Sequence, residues 1–177
     1  MKLLMHMCCA PCSTYPVSSL RKNNIDVTGL FYNPNIHPID EYQRRLDTVK
    51  EYSNIVDLDV RYIEGYMEDV WINYKGTDES RCTMCYSLRL NRTAKYAKEN
   101  GFDAFTTSLL VSPYQRHDLI KELGEKFATK YGIKFYYEDF RPHFREGQAT
   151  AREMNLYRQK YCGCIISYNE RMQHINQ

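Results

Sequence analysis

Lys2-Leu3-Leu4-Met5-His6-Met7-Cys8-Cys9-Ala10-Pro11-Cys12 sets an apolar run directly against three cysteines. The run from Lys2 to Met7 is bounded by small and turn-forming residues and reads as a buried strand. A helix is expected behind it, from about Ser13 to Lys22. Ile25 to Tyr32 is a second strand, stopped by Asn33-Pro34-Asn35. Pro34 pushes Asn33 out of helical geometry, and Asn tolerates turn conformations. A polar helix from about Asp40 to Ser53 and a short strand near Ile55 to Val60 continue the alternation.

Further along, Tyr66 to Tyr74 and Cys82 to Asn100 read as helices, the second closed by Asn100-Gly101. Phe102 to Thr107 is a fourth strand, Pro113 to Tyr131 a helix ended by Gly132, and Ile133 to Tyr137 a fifth strand. After Asp139 the chain reads as basic and irregular, and it ends in a helical segment around Cys162 to His174. Alternating strands and helices predict an α/β layered fold with a mainly parallel sheet. Ligands of such sheets sit beyond the carboxyl ends of the strands. Cys8 to Cys12, Asn33 to His37, Thr106 to Ser112 and Asp139 to Arg145 are therefore expected to converge on one site.

The 177 residues, 43% of them hydrophobic, suit one domain over 1–177 with a continuous core. A formal charge of +2 does not mark the chain as a nucleic-acid binder, so attraction to phosphate must come from local patches. Sixteen tyrosines and seven phenylalanines supply core or base-stacking surface. The apolar opening is too short for a signal peptide and lacks a small-residue cleavage site. No stretch approaches the roughly 18 apolar residues of a membrane span. The expectation is a cytoplasmic protein with no membrane partner.

Thiols stay reduced in that compartment, so seven cysteines argue for metal or redox chemistry. They fall into three groups: Cys8, Cys9 and Cys12; Cys82 and Cys85; Cys162 and Cys164. Cys-x-x-Cys occurs twice, as Cys9-Ala10-Pro11-Cys12 and Cys82-Thr83-Met84-Cys85, and lets two thiolates aim at one centre. Softness alone does not choose between zinc and iron–sulfur. The pairs are about 70 residues apart, whereas small zinc ribbons fit both within about 20. A thioredoxin-like redox pair at the start of a helix is another reading. Cys162-Gly163-Cys164 would close a strained, easily reduced ring if oxidised, which suits an electron-exchanging dithiol or two more metal ligands.

Read together, His6-Met7-Cys8-Cys9-Ala10-Pro11-Cys12, Phe31 to Pro38, Glu41-Tyr42-Gln43-Arg44-Arg45, Arg81-Cys82-Thr83-Met84-Cys85, Leu88-Arg89-Leu90, Ser112-Pro113-Tyr114 and Tyr157 to Cys164 resemble the signature blocks of the QueH-type epoxyqueuosine reductases. The resemblance runs in order from the first strand to near the C-terminus. It implies a Rossmann-like sheet of the adenine-nucleotide alpha-hydrolase (HUP) type with a C-terminal helical segment. It implies reduction of epoxyqueuosine to queuosine at the wobble position of tRNA with a GUN anticodon, fed by an external electron donor. A [4Fe-4S] cluster is implied, with Cys8, Cys9, Cys82 and Cys85 as its ligands. Cys12 is placed as ligand to one additional iron ion, and Cys162 and Cys164 as the redox-active or further metal-binding pair.

Deoxygenating an epoxide takes two electrons and two protons, whereas a cluster normally cycles by one electron. A second redox site or a second electron delivery is therefore required, and catalytic parts are assigned to Cys12, Cys162 and Cys164. His37, His117, Asp118, Asp139 and Tyr114 are candidate proton donors. Arg141, Arg145, Arg152 and Arg158, interleaved with Phe144 and Tyr157, suit a patch gripping anticodon-loop phosphates. A zinc-stabilised RNA-binding module and a thiol–disulfide oxidoreductase are the rival classes.

Overall fold

Strand β1 (Lys2–His6) is buried from Leu3 to His6 and forms the middle of the sheet. The computed structural model describes residues 1–176. Its five strands are all parallel, in the order β3-β2-β1-β4-β5. β2 (Asp26–Phe31) lies on one side of β1, with Leu4 opposite Thr28, and β4 (Ala104–Thr107) on the other, with Leu4 opposite Phe105. β3 (Val60–Tyr62) and β5 (Lys134–Phe135) are the edges. A strand enclosed by parallel neighbours and helices is apolar on both faces, which is why Leu3-Leu4-Met5 shows no alternation.

Right-handed crossovers run outward from β1 in both directions. They place α1 (Ala10–Lys22) and α2 (Ile39–Ile55) on one face, and α4 (Asp78–Glu99) and α5 (His117–Tyr131) on the other. α3 (Glu68–Ile72) and α7 (Ile165–Ile175) pack together around a small second apolar cluster of Trp71, Cys85, Cys164 and Ile165. α6 (Phe144–Glu153) lies against α1. The strand order reverses between β1 and β4, and the crevice at that reversal is where such sheets bind ligands. No described helix is long and apolar enough to cross a membrane.

Several boundaries differ from the sequence expectation. α2 runs on to Ile55, with Val56 N–H bonded to Tyr52 O, so the third strand starts at Val60 instead of Ile55. A short apolar run does not by itself distinguish a helix end from a strand. α4 begins at Asp78, before Cys82, because the Thr77 side chain accepts from Ser80 N–H and caps it. Both Cys82 and Cys85 therefore sit inside a helix. Pro113 and Tyr114 stand outside α5, in a turn that follows a short 3₁₀ segment at Ser108–Val111. α6 occupies a stretch expected to be irregular. Its inward face is Gly147 and Ala151, small residues that let it lie close against α1, and a Cβ on Gly147 would lie 3.0 Å from Thr14 Oγ1.

Candidate active site

The loops after β1, β2, β4 and β5 converge as the topology requires. Cys8 and Cys12, Asn35 and Ile36, Leu109 and Ser112, and Phe144 all line one cavity of about 520 Å³. That volume falls within the usual range for small-ligand sites. Cys82 reaches the same cavity from α4, and Cys162 from the segment before α7. Cys85 is buried one helical turn beyond Cys82, and Cys164 is buried as the N-cap of α7.

The first cysteine group is the tightest. The sulfurs of Cys8, Cys9 and Cys12 all lie within 4.8 Å of one another. Cys9 ends its extended stretch at the N-cap of α1, whose first turn carries Pro11, so the loop and the first helical turn together deliver three thiols. Ser108, at the end of β4, accepts from Cys8 N–H (3.0 Å) and donates to Cys8 Sγ (3.2 Å). This joins the two strands at the reversal. Gln159 Nε2 donates to Cys9 Sγ at 2.9 Å and lies 3.7 Å from Cys12 Sγ. Hydrogen bonds from Cys12, Cys9 and Ser108 hold the Cys8 thiol well below its usual pKa. Burial pushes Cys9 up, and donation to Cys8 pushes Cys12 up. The three sulfurs are electrostatically coupled: what favours the thiolate at Cys8 disfavours it at Cys9 and Cys12.

Behind the trio, His6 is fully buried. Its Nε2 faces two acceptors, Asn33 Oδ1 (3.0 Å) and Tyr32 O (3.2 Å), and so carries the proton. Nδ1 then accepts from Thr107 Oγ1 at 3.0 Å. Burial, reinforced by Arg89, lowers its pKa to about 4. Asn33 Nδ2 in turn donates to Met7 O (2.9 Å), tying the Asn33 turn to the end of β1.

Arg89 is 3% exposed, and its side chain donates to Cys85, to the carbonyl (3.2 Å) and to Sγ (3.1 Å). No carboxylate pairs with it among the described residues. Burial pushes the Cys85 thiol up to about 12, so the sulfur in direct contact with this cation is disfavoured as a thiolate. Arg45, also buried, does have a partner: its Nε donates to Glu41 Oε1 at 2.9 Å.

The candidate proton donors separate cleanly. Tyr114 lines the cavity and is 83% exposed, with its ring edge-on to Phe144 at 5.7 Å. His37 has both nitrogens engaged, Nε2 with Pro34 O (2.9 Å) and Nδ1 with Ile165 N–H (3.1 Å). His117 pairs with Tyr137 OH, and Asp139 with Arg141. None of His37, His117, Asp118 and Asp139 is on the cavity wall. Arg141, Arg145, Arg152 and Arg158 are exposed and likewise off the wall. The wall's own cations are Arg45, Arg89, Arg116 and Lys160. Ser108, Gln159 and Glu41 were not singled out as site residues by sequence. The i,i+4 spacings Glu41–Arg45 and Cys85–Arg89 were the available signals.

A family model described as epoxyqueuosine reductase QueH matches residues 3–170. The chain belongs to the epoxyqueuosine reductase QueH family. QueH from Thermotoga maritima is 38% identical over 179 residues, covering 96% of this chain and 91% of that protein. QueH from Dehalococcoides mccartyi is 35% identical, covering 96% and 94%. Among solved structures, the U34-tRNA thiolase NcsA from Methanococcus maripaludis with its [4Fe-4S] cluster superposes with a TM-score of 0.58 at 15% identity, over 96% of this chain and 63% of that one. That likeness establishes the shared fold: the QueH chain has the parallel, helix-flanked sheet of this neighbour.

Proposed function

We propose that this chain reduces epoxyqueuosine to queuosine at the wobble position of tRNA with a GUN anticodon, in the cytoplasm, using an iron–sulfur centre held in the cavity. The observation that carries the reading is the meeting of Cys8, Cys12, Cys82 and Cys162 on one cavity wall at the strand reversal, in a chain that matches the QueH family over 3–170. The donor set is all sulfur, which suits iron–sulfur centres. Arg89 adds an independent argument. A buried guanidinium with no carboxylate partner favours a negative charge beside it, and a thiolate at Cys85 holding a metal centre would supply one.

The proposed cluster ligands are Cys8, Cys9, Cys82 and Cys85. Cys12, whose sulfur lies with Cys8 and Cys9, is proposed as ligand to a further iron. Such a centre supplies electrons and an electrophilic site for the epoxide oxygen. The chain's own residues bind and orient. Tyr114, standing over the mouth, offers a stacking face for the extruded base. Asn35 Oδ1 is buried at the wall with no hydrogen-bond partner, an acceptor for a donor group of the substrate. Of the candidate proton donors, Tyr114 is the one within reach of the cavity. Arg116 and Lys160 on the wall, with Arg141, Arg145, Arg152 and Arg158 outside it, form the proposed phosphate-binding surface.

Cys162 and Cys164 are proposed as the second redox site, a dithiol that is reduced again by an external donor. The test is iron and sulfide analysis of anaerobically reconstituted protein, followed by turnover of an anticodon stem-loop carrying epoxyqueuosine. Queuosine formation dependent on bound iron is expected. Full turnover by metal-free or zinc-loaded protein would refute the reading.

A further inference from the structure

In the segment Tyr161 to Ile165, three carbonyls and one backbone N–H are held by Arg45 and His37, which lie outside it. Arg45 Nη2 donates to Tyr161 O and Nη1 to Cys162 O, both at 3.0 Å. Gly163 O accepts from His37 N–H at 2.7 Å, and Ile165 N–H donates to His37 Nδ1 at 3.1 Å. The Tyr161 hydroxyl donates to His37 O. Gly163 has φ +139°, a region unfavourable to side chains, and a Cβ there would stand 3.0 Å from Arg45 Nη1. Glycine is thus required twice, by the backbone and by the guanidinium lying against it.

Arg45 is itself oriented. Its Nε donates to Glu41 Oε1 (2.9 Å), and the Tyr157 hydroxyl lies 3.0 and 2.9 Å from the two Glu41 oxygens. A buried ion pair adds little stability over well-packed apolar side chains. Spending one on two successive carbonyls is explained by the position it enforces. That position is asymmetric: Cys162 is exposed on the cavity wall, whereas Cys164 is 8% exposed, caps α7 through Ser167 N–H (3.5 Å) and packs with Trp71 and Cys85.

We propose that Arg45, aimed by Glu41 and Tyr157 and assisted by His37, is a positioning residue that divides the labour of the Cys162–Cys164 pair, making Cys162 the thiol that exchanges with an external dithiol and Cys164 its buried disulfide partner, the leaving thiolate. This rests on the redox reading of the pair given above. Oxidation of the two thiols to a disulfide releases two electrons and two protons, the count that turns an epoxide into an alkene and water. In re-reduction, a thiolate of an external dithiol attacks Cys162 Sγ, the accessible sulfur. Cys164 leaves as thiolate and takes up a proton. The second thiol of the donor then loses its proton, closes the donor's own disulfide and releases Cys162. Attack at Cys164 is blocked by its burial.

The test uses anaerobically reconstituted holoprotein. In the reduced protein, alkylation followed by mass spectrometry is expected to modify Cys162 about tenfold or more faster than Cys164. Tyr157→Phe and Arg45→Lys are expected to shift the equilibrium of the pair with dithiothreitol by about tenfold. They should also lower kcat while leaving KM for the stem-loop and the absorbance near 400 nm unchanged. Tyr157→Phe, which removes one hydroxyl, keeps the test open if Arg45→Lys does not fold. Equal alkylation rates, or a dithiol equilibrium unmoved in the folded variants, would overturn the proposal. Undiminished steady-state turnover by the Cys162→Ser/Cys164→Ser double variant would instead overturn the redox reading beneath it.

Discussion

Protonating His6 should cost this fold much of its stability, and the loss should be confined to a defined pH window. The ring is fully buried, and its one proton is committed to Asn33 Oδ1 and Tyr32 O. Its pKa in the folded chain is about 4, against an ordinary 6.5. Above pH 6.5 both folded and unfolded chains hold a neutral ring, and the contribution is fully present. As pH falls below 6.5 the unfolded chain takes up a proton that the folded chain refuses, so stability declines. Below about 4 both states bind the proton and this decline ends. Linkage puts the loss at about 2 kcal/mol by pH 5 and about 3 kcal/mol by pH 4. The assay is urea unfolding of metal-free protein under anaerobic reducing conditions at a series of pH values, with His6→Gln as reference. Other groups titrate in both proteins, so the difference between the profiles isolates His6. The wild-type curve should fall relative to the variant's between pH 6.5 and 4. Parallel curves would show that burial of the ring at the end of β1 has been misjudged.

Arg89→Met removes the lone buried cation beside Cys85; the midpoint potential of the reconstituted centre should fall by on the order of 50 mV, read by redox titration, and an unchanged potential would place the partner of Arg89 elsewhere. Thr77→Ala deletes the cap of α4 and should cost about 1 kcal/mol in chemical denaturation, with the cysteine helix still formed. Gly147→Val should separate α6 from α1 and cost roughly 1–3 kcal/mol or more, because Thr14 Oγ1 and Tyr15 Cβ already sit 3.0 and 3.3 Å from the position of a Cβ. A wild-type melting temperature in that variant would mean that α6 is free to shift.

Much of the site was legible because its parts are local. The strand-then-cysteines stretch at Lys2 to Cys12, the stop at Asn33-Pro34-Asn35 and the helix caps each depend on residues a few positions apart, where propensity and steric rules act directly. The convergence of loops from four strands followed from one topological rule applied to those elements. Two elements were harder to place. α6 was read as a basic irregular stretch because its buried positions, Gly147 and Ala151, are small and its other residues mostly polar, and β3 was shifted because Ile55 and Val56 suit a helix end as well as a strand.

The amino-acid order alone therefore determined the alternation of strands and helices, the grouping of seven cysteines and the family they resemble. Tertiary structure decided which side chains face one another. Cys8 meets Ser108 across a hundred residues, Gln159 reaches Cys9, and Arg45 grasps the successive carbonyls of Tyr161 and Cys162. Such pairings depend on how crossovers bring distant segments to one sheet edge, and no local rule encodes them. Burial is equally a property of the assembled chain. It makes Arg89 a buried cation with no carboxylate partner among the described residues and His6 a base that resists its proton, because removal from water penalises charge only once the core has closed around it.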